Sequence, residues 1–173
     1  MNTILHEQVR ELCISDDTTS VISIINQPCF DWNKTDQYGM YPVHNICKYG
    51  SYTLIYSIIH SVPNLNWNVY NWDDQTCLLM IMNNKNLSEE QRVQVMKSLI
   101  EAGADPYQKM FSKKSYILFD IFIQSKVVRP TIWIEYFKLL YPKNCIHRSS
   151  IDSFLQRKLH PSLYTQMKEI MDQ

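Results

Sequence analysis

Few residues in this chain stand at the spacings that side-chain chemistry requires. Covalent catalysis needs a Cys or Ser beside a base, with a third group orienting that base. His44 and Cys47 lie three residues apart, and Cys145-Ile146-His147 is the best remaining Cys/His pair. Two such ligands fall short of the roughly four that a structural zinc ion takes. Neither the phosphate-cradling G-x-x-x-x-G-K-[ST] loop nor the dinucleotide G-x-G-x-x-G turn occurs. The residue types therefore assign no catalytic residue, no metal ligand and no cofactor, and the expected chemistry is recognition, not reaction.

The charges narrow what could be recognised. Seventeen Lys/Arg balance seventeen Asp/Glu, whereas dedicated nucleic-acid or membrane-surface binders carry a basic excess. Residues 1–100 hold six basic against ten acidic side chains, and residues 101–173 hold eleven against seven. The basic members Lys113, Lys114, Lys126, Arg129, Arg148, Arg157 and Lys158 are not interleaved with aromatics, so they read as solvated surface and not as a stacking groove for nucleic acid. The five cysteines, Cys13, Cys29, Cys47, Cys77 and Cys145, are odd in number and widely spaced, as in a reduced cytoplasmic protein. The first seven residues lack a basic stretch followed by an apolar run, and no apolar window of about 18 residues exists. A soluble, cytoplasmic chain with neither a nucleic-acid nor a membrane partner is expected.

An internal repeat supplies the elements that would carry a binding surface. Phe30-Asp31-Trp32-Asn33 returns 35 residues later as Leu65-Asn66-Trp67-Asn68. At the same offset Asp36 meets Asn71, Tyr41 meets Thr76, Val43 meets Leu78 and Ile46 meets Ile81. A third copy begins near Ala104-Asp105-Pro106-Tyr107, at an offset of 39, because the second copy carries extra polar residues from Asn83 to Gln91. Each copy has a turn rich in Asp, Asn, Gly or Pro, a compact helix, a break and a longer amphipathic helix.

In the first copy Pro42 suits a helix start and Gly50 a left-handed helix end. The second helix, Tyr52–His60, presents Leu54, Ile55, Ile58 and Ile59 on one face. In the second copy Thr76–Met82 is the first helix, and Ser88-Glu89-Glu90-Gln91 is a capping signature for the next. Val93, Met96, Leu99 and Ile100 are expected on its apolar face, with Gly103 as the left-handed stop. The third copy's helices are placed at Ser115–Ser125 and Thr131–Tyr141. Thr3–Ile14 with Asp17–Ile25, and Ser150–Lys158 with Pro161–Met171, form terminal pairs that would close the stack.

The stretch Asp36-x-x-Gly39-x-Tyr41-Pro42-Val43-His44-x-Ile46-Cys47-x-x-Gly50 resembles the ankyrin pattern D-x-x-G-x-T-P-L-H-x-A-A-x-x-G. Leu99-Ile100-Glu101-Ala102-Gly103-Ala104-Asp105 resembles the family's L-L-x-x-G-A-D ending. The likeness covers about residues 15–146 and decays along the chain. Tyr41 replaces Thr, Cys77-Leu78-Leu79 replaces Pro-Leu-His, and the third copy lacks the motif. It implies an all-α ankyrin-repeat solenoid of stacked helix–loop–helix units with hairpin-like fingers. A single domain over 1–173 would comprise an N-terminal cap (1–30), repeats at 31–65, 66–104 and 105–146, and a C-terminal cap (147–173).

Under this resemblance His44 is structural and bonds backbone within its turn, and Cys47 takes the place of a buried Ala. Asn33 and Asn68 occupy places where ankyrin proteins can be hydroxylated, although a structural role suits them better. Trp32 and Trp67 read as packing between repeats.

In this family finger tips and the concave inner-helix face make contacts with other proteins. Carried over, the candidates are Gln37, Tyr38, Asn45, Lys48 and Tyr49 in the first copy. The second copy supplies Trp72, Asp73, Met80, Asn83 and Asn84, and the third Phe111, Ser112 and Asp120. Exposed aromatics such as Tyr38, Tyr49, Trp72 and Phe111 suit interface anchors, although some could fold back onto neighbouring fingers.

The resemblance thus implies a non-catalytic protein-interaction module, an adaptor or inhibitor. The alternative is a host-directed bacterial or viral effector, acting in the host cytoplasm, or a toxin-neutralising immunity protein using the same surface. Ile132, Trp133, Ile134, Tyr136 and Phe137 exceed what one buried helix face needs, which would suit homo-oligomerisation through the outer helices.

Overall fold

The computed structural model describes residues 2–108, 130–141 and 148–173. These residues form helices and turns, and no strand occurs among them. The chain divides into two compact units, 1–125 and 126–173, a division that falls inside the expected third repeat.

The first unit contains α1 (Asn2–Ile14), α2 (Thr18–Ile25), α3 (Pro42–Tyr49), α4 (Tyr52–Ser61), α5 (Cys77–Met82) and α6 (Glu89–Glu101). Several of these are too short to be stable as isolated helices in water, so packing must hold them. Helices α1, α3 and α5 lie side by side in one row, α4 packs on α6 in a second, and each of α1, α3 and α5 contacts the helix that follows it. The core between the rows is made of Val9, Cys13, Ile46, Cys47, Leu54, Ile55, Ile58, Leu78, Ile81, Met96 and Leu99, each at most 1 % exposed. Each large aliphatic there contributes on the order of 2 kcal/mol through burial.

The local signals explain most helix ends. Asp17 caps α2 by accepting from the Ser20 N–H at 3.0 Å. Ser88 and Gln91 cap α6 reciprocally, with Glu89 and Glu90 in its positive first turn. Gly103 ends α6 at φ 100, where a Cβ would meet no atom within 4 Å, so conformation alone selects glycine there.

Gly50 departs from expectation. Its φ of −67 and ψ of 151 are extended, not left-handed. A Cβ would lie 2.6 Å from the Ile46 carbonyl oxygen and 3.2 Å from both Leu54 and Ile55. Glycine is needed there because a side chain would strike the Ile46 carbonyl in the last turn of α3 and crowd Leu54 and Ile55 of α4. On α6 the buried face is Val95, Met96 and Leu99, whereas Val93 and Ile100 are half-buried. The packed stripe is rotated because α6 is covered by both α4 and α5.

The second unit contains α7 (Pro130–Leu140), α8 (Arg148–Lys158) and α9 (Pro161–Met171), with α9 packed on both others. Tyr136, Phe137, Ile151, Leu155, Met167 and Met171 are buried. Asp152 accepts from the Tyr164 hydroxyl at 2.9 Å and pairs with Lys168 at 3.2 Å, and Arg148 bonds Asp172. Ile132, Tyr136 and Phe137 are internal and Ile134 is half-buried. Three of the five residues named for an outer apolar face are thus internal, and the Trp133 side chain lies outside what the structure describes.

Candidate functional site

The two described fingers are built alike. In the first, the Asp36 carboxylate accepts from the Tyr38 and Met40 N–H groups, both at 2.9 Å, through one oxygen. The Asp36 N–H bonds the Met40 carbonyl at 2.9 Å, and Gly39 turns the chain at φ 69. In the second, the Asn71 side-chain oxygen accepts from Asp73 and Gln75 N–H at 3.0 and 2.8 Å. The Asn71 N–H bonds the Gln75 carbonyl at 3.1 Å, and Asp74 turns the chain at φ 56. A short polar residue that can satisfy loop backbone and a left-handed residue three positions later make each finger.

The fingers position aromatic side chains on the surface. Tyr38 is 53 % exposed and Trp72 is 75 % exposed. A Cβ on Gly39 would fall inside the Trp72 indole, so the second finger's indole lies flat against the first finger's backbone. The Arg10 guanidinium stands 4.9 Å from the Tyr38 ring centroid and 5.7 Å from that of Tyr49. The Lys48 ammonium lies 5.2 Å from the Tyr49 ring. These cation–π contacts join the first finger to the ends of α1 and α3.

Gln37, Tyr38, Trp72, Asp73 and Asn83 are exposed, and Lys48 and Tyr49 are half-exposed. Three other expected contact residues are internal. Asn45 is fully buried and donates to the second Asp36 oxygen at 3.0 Å, bracing the finger against α3. Met80 is 1 % exposed because all six residues of α5 are covered. Asn84 is fully buried and donates to the Cys47 and Gly50 carbonyls, both at 2.9 Å, satisfying the end of α3. Phe111, Ser112 and Asp120 lie outside the described residues.

Residues missed by the sequence reading complete the site. Ile14, Lys85 and Asn86 join the expected Lys48, Tyr49 and Asn83 around a cavity of about 290 Å3 at the carboxyl ends of α1, α3 and α5. Arg10 and Ile14 share one end of α1, and an apolar–basic pair four residues apart was the available signal. The repeat does not point to it, because α1 lies outside the copies that the repeat aligns.

His44 is buried and structural. Its Nδ1 accepts from the Tyr41 N–H at 3.2 Å, which places the proton on Nε2, donated to the Val69 carbonyl at 3.0 Å. Burial lowers its pKa to about 4, so the ring is neutral at physiological pH. With both nitrogens engaged it offers no free base to Cys47, whose thiol burial pushes well above the ordinary value. Cys13 is pushed up to about 12 for the same reason. Cys29 is exposed.

Asn68 accepts from the Asp105 N–H at 2.7 Å and donates to the Gly103 carbonyl at 2.8 Å. Trp67 is buried, and Trp32 packs edge-on to Phe30 at 5.1 Å. Among the described residues no group of three or more His, Cys, Asp or Glu could hold a metal ion, and no helix is long and apolar enough to cross a membrane. No family model matches the chain, and no curated protein matches its sequence.

Proposed function

We propose that this chain is a non-catalytic ankyrin-type interaction module, an adaptor or inhibitor, that holds a protein partner across its finger tips and the adjoining ends of its inner helices. The observation that carries the reading is Trp72, a large indole 75 % exposed yet fixed against Gly39. A rigid aromatic presented to solvent loses little conformational freedom on binding, which is what an anchor residue requires. Tyr38, steadied by Arg10, supplies a second anchor on the neighbouring finger. The paired finger geometry supports the stacked-repeat architecture, and the free buried thiols Cys13, Cys47 and Cys77 suit a reducing cytoplasmic setting.

The test is affinity capture from lysate with wild type beside Tyr38→Ala/Trp72→Ala, whose folding is verified by circular dichroism. One protein retained by wild type and lost by the folded variant is expected. Retention indifferent to both substitutions, or capture of nothing, would overturn the assignment of this surface.

A further inference from the structure

The cavity at the carboxyl ends of the inner helices has a chemistry of its own. Two lysines stand on its rim, with the Ile14 side chain, 48 % exposed, and the Tyr49 ring as apolar wall and Asn83 and Asn86 as amides. No carboxylate lines it. Lysines near helix carboxyl ends often serve the terminal carbonyls, but here those carbonyls have other partners. Asn84 donates to Cys47 and Gly50, and Asn86 donates to Tyr49 at 2.6 Å. Among the described residues neither Lys48 nor Lys85 enters an ion pair, and Lys48 only faces Tyr49.

Three of the six cations in residues 1–100, Arg10, Lys48 and Lys85, thus gather around Tyr38, Tyr49 and the cavity. Arg10 is paired with Glu11 at 3.3 Å, and Glu11 lines with Glu7 a separate groove between α1 and α2, so Lys48 and Lys85 are the members of the group outside any ion pair among the described residues. The charge is local on a stretch of chain that is acidic as a whole, with ten carboxylates against six cations. A polyanion such as a nucleic-acid strand is repelled by that surrounding charge, whereas one or two carboxylates on a peptide are attracted to the spot.

We infer that the cavity lined by Ile14, Lys48, Tyr49, Asn83, Lys85 and Asn86 receives an acidic peptide segment of the partner, its carboxylates on the two lysines and an apolar side chain between Ile14 and Tyr49. This rests on the interaction-module reading and adds the chemistry of the partner. The lysines supply orientation and association rate more than raw affinity, and Ile14 and Tyr49 supply the apolar contact.

The experiment is fluorescence anisotropy of the full chain with three labelled peptide pools of equal length. One carries Asp or Glu at alternate positions, one Asn or Gln, and one Lys or Arg, with aliphatic residues between; a labelled oligothymidylate is the fourth probe. The acidic pool is expected to bind, weakening about tenfold in Lys48→Gln/Lys85→Gln and with rising salt. The exposed α6 control Lys97→Gln is expected to leave binding unchanged. Equal binding of the neutral pool, preference for the oligonucleotide, binding indifferent to the lysine pair, or no binding at all would each overturn the inference. A captured partner that depends on Tyr38 and Trp72 but not on Lys48 and Lys85 would leave the interaction module standing and remove only the acidic peptide. A captured partner indifferent to all four would overturn the assignment of this surface as well, fingers and cavity together.

Discussion

The fingers at residues 36–40 and 71–75 reach one geometry with different chemistry. The first is organised by a buried carboxylate, Asp36, and the second by a neutral amide, Asn71. The first turns on Gly39 and the second on Asp74, both at positive φ. A left-handed turn tolerates Asp or Asn as well as Gly, so the turn alone does not demand Gly39. The neighbour does, because the Trp72 indole occupies the space of its side chain. One finger's sequence is therefore set partly by the finger stacked upon it.

The largest separation between the two should come from removing their organising residues. Asp36→Ala strips the acceptor from two backbone N–H groups and from Asn45, all at a charged, buried site. A loss of about 3 kcal/mol in urea unfolding is expected. Asn71→Ala removes a neutral acceptor and should lower stability by only about 1–2 kcal/mol. Equal losses would show that the charge on Asp36 contributes nothing.

Between the two copies, acid should act on the first and not the second, since His44 has Leu79 as its counterpart 35 residues on. The folded pKa of His44 is about 4 against an ordinary 6.5, so between those values the unfolded chain binds the extra proton. Stability is full above about pH 6.5, falls as pH drops, and levels off below about pH 4, with about 3 kcal/mol lost across the window. Unfolding followed at several pH values should show this slope, and His44→Leu should flatten it while lowering stability at neutral pH. An unchanged slope in that variant would assign the acid sensitivity elsewhere, with His6, whose pKa burial also lowers, as the next group.

A smaller effect separates the turn residues. Gly39→Ala should destabilise by about 1–2 kcal/mol, through positive φ and collision with the indole. The loss should shrink when Trp72→Ala is combined with it, which a double-mutant cycle measures. Asp74→Gly should change stability by less than about 1 kcal/mol, because relief of the positive φ is offset by the lost interactions of the side chain and by a freer unfolded chain. A larger destabilisation there would mean that the Asp74 side chain holds the finger by its contacts.

How much of this was legible depended on whether the deciding partner was local. Ser88 with Gln91, Pro42 and Gly103 act within a few residues of themselves, so the helix ends they mark could be read directly. At Gly50 the need for glycine is legible but its cause is not, because extended backbone brings the position against the Ile46 carbonyl and the Leu54 and Ile55 side chains, a closeness that residue types do not encode. Asn45, Met80 and Asn84 were placed outside by the resemblance and lie inside. Helix α3 is flanked by α1, α4 and α5, and a helix of six residues such as α5 has no side left uncovered. Arg10 and Lys85 were missed because each enters the site across a copy boundary. The repeat identifies equivalent positions within copies and is silent on pairs between them.

The bonds across those boundaries also govern the order in which the chain can assemble. His44 reaches Val69, Asn84 reaches Cys47 and Gly50, and Gln108 reaches Asn68. Among the described residues the widest of the side-chain hydrogen bonds spans 40 residues. Loop closure over such distances is inexpensive in entropy and fast. On a ribosome, each copy would find its neighbour as soon as that next stretch of chain emerged, so the first two copies could dock while the rest was still being made.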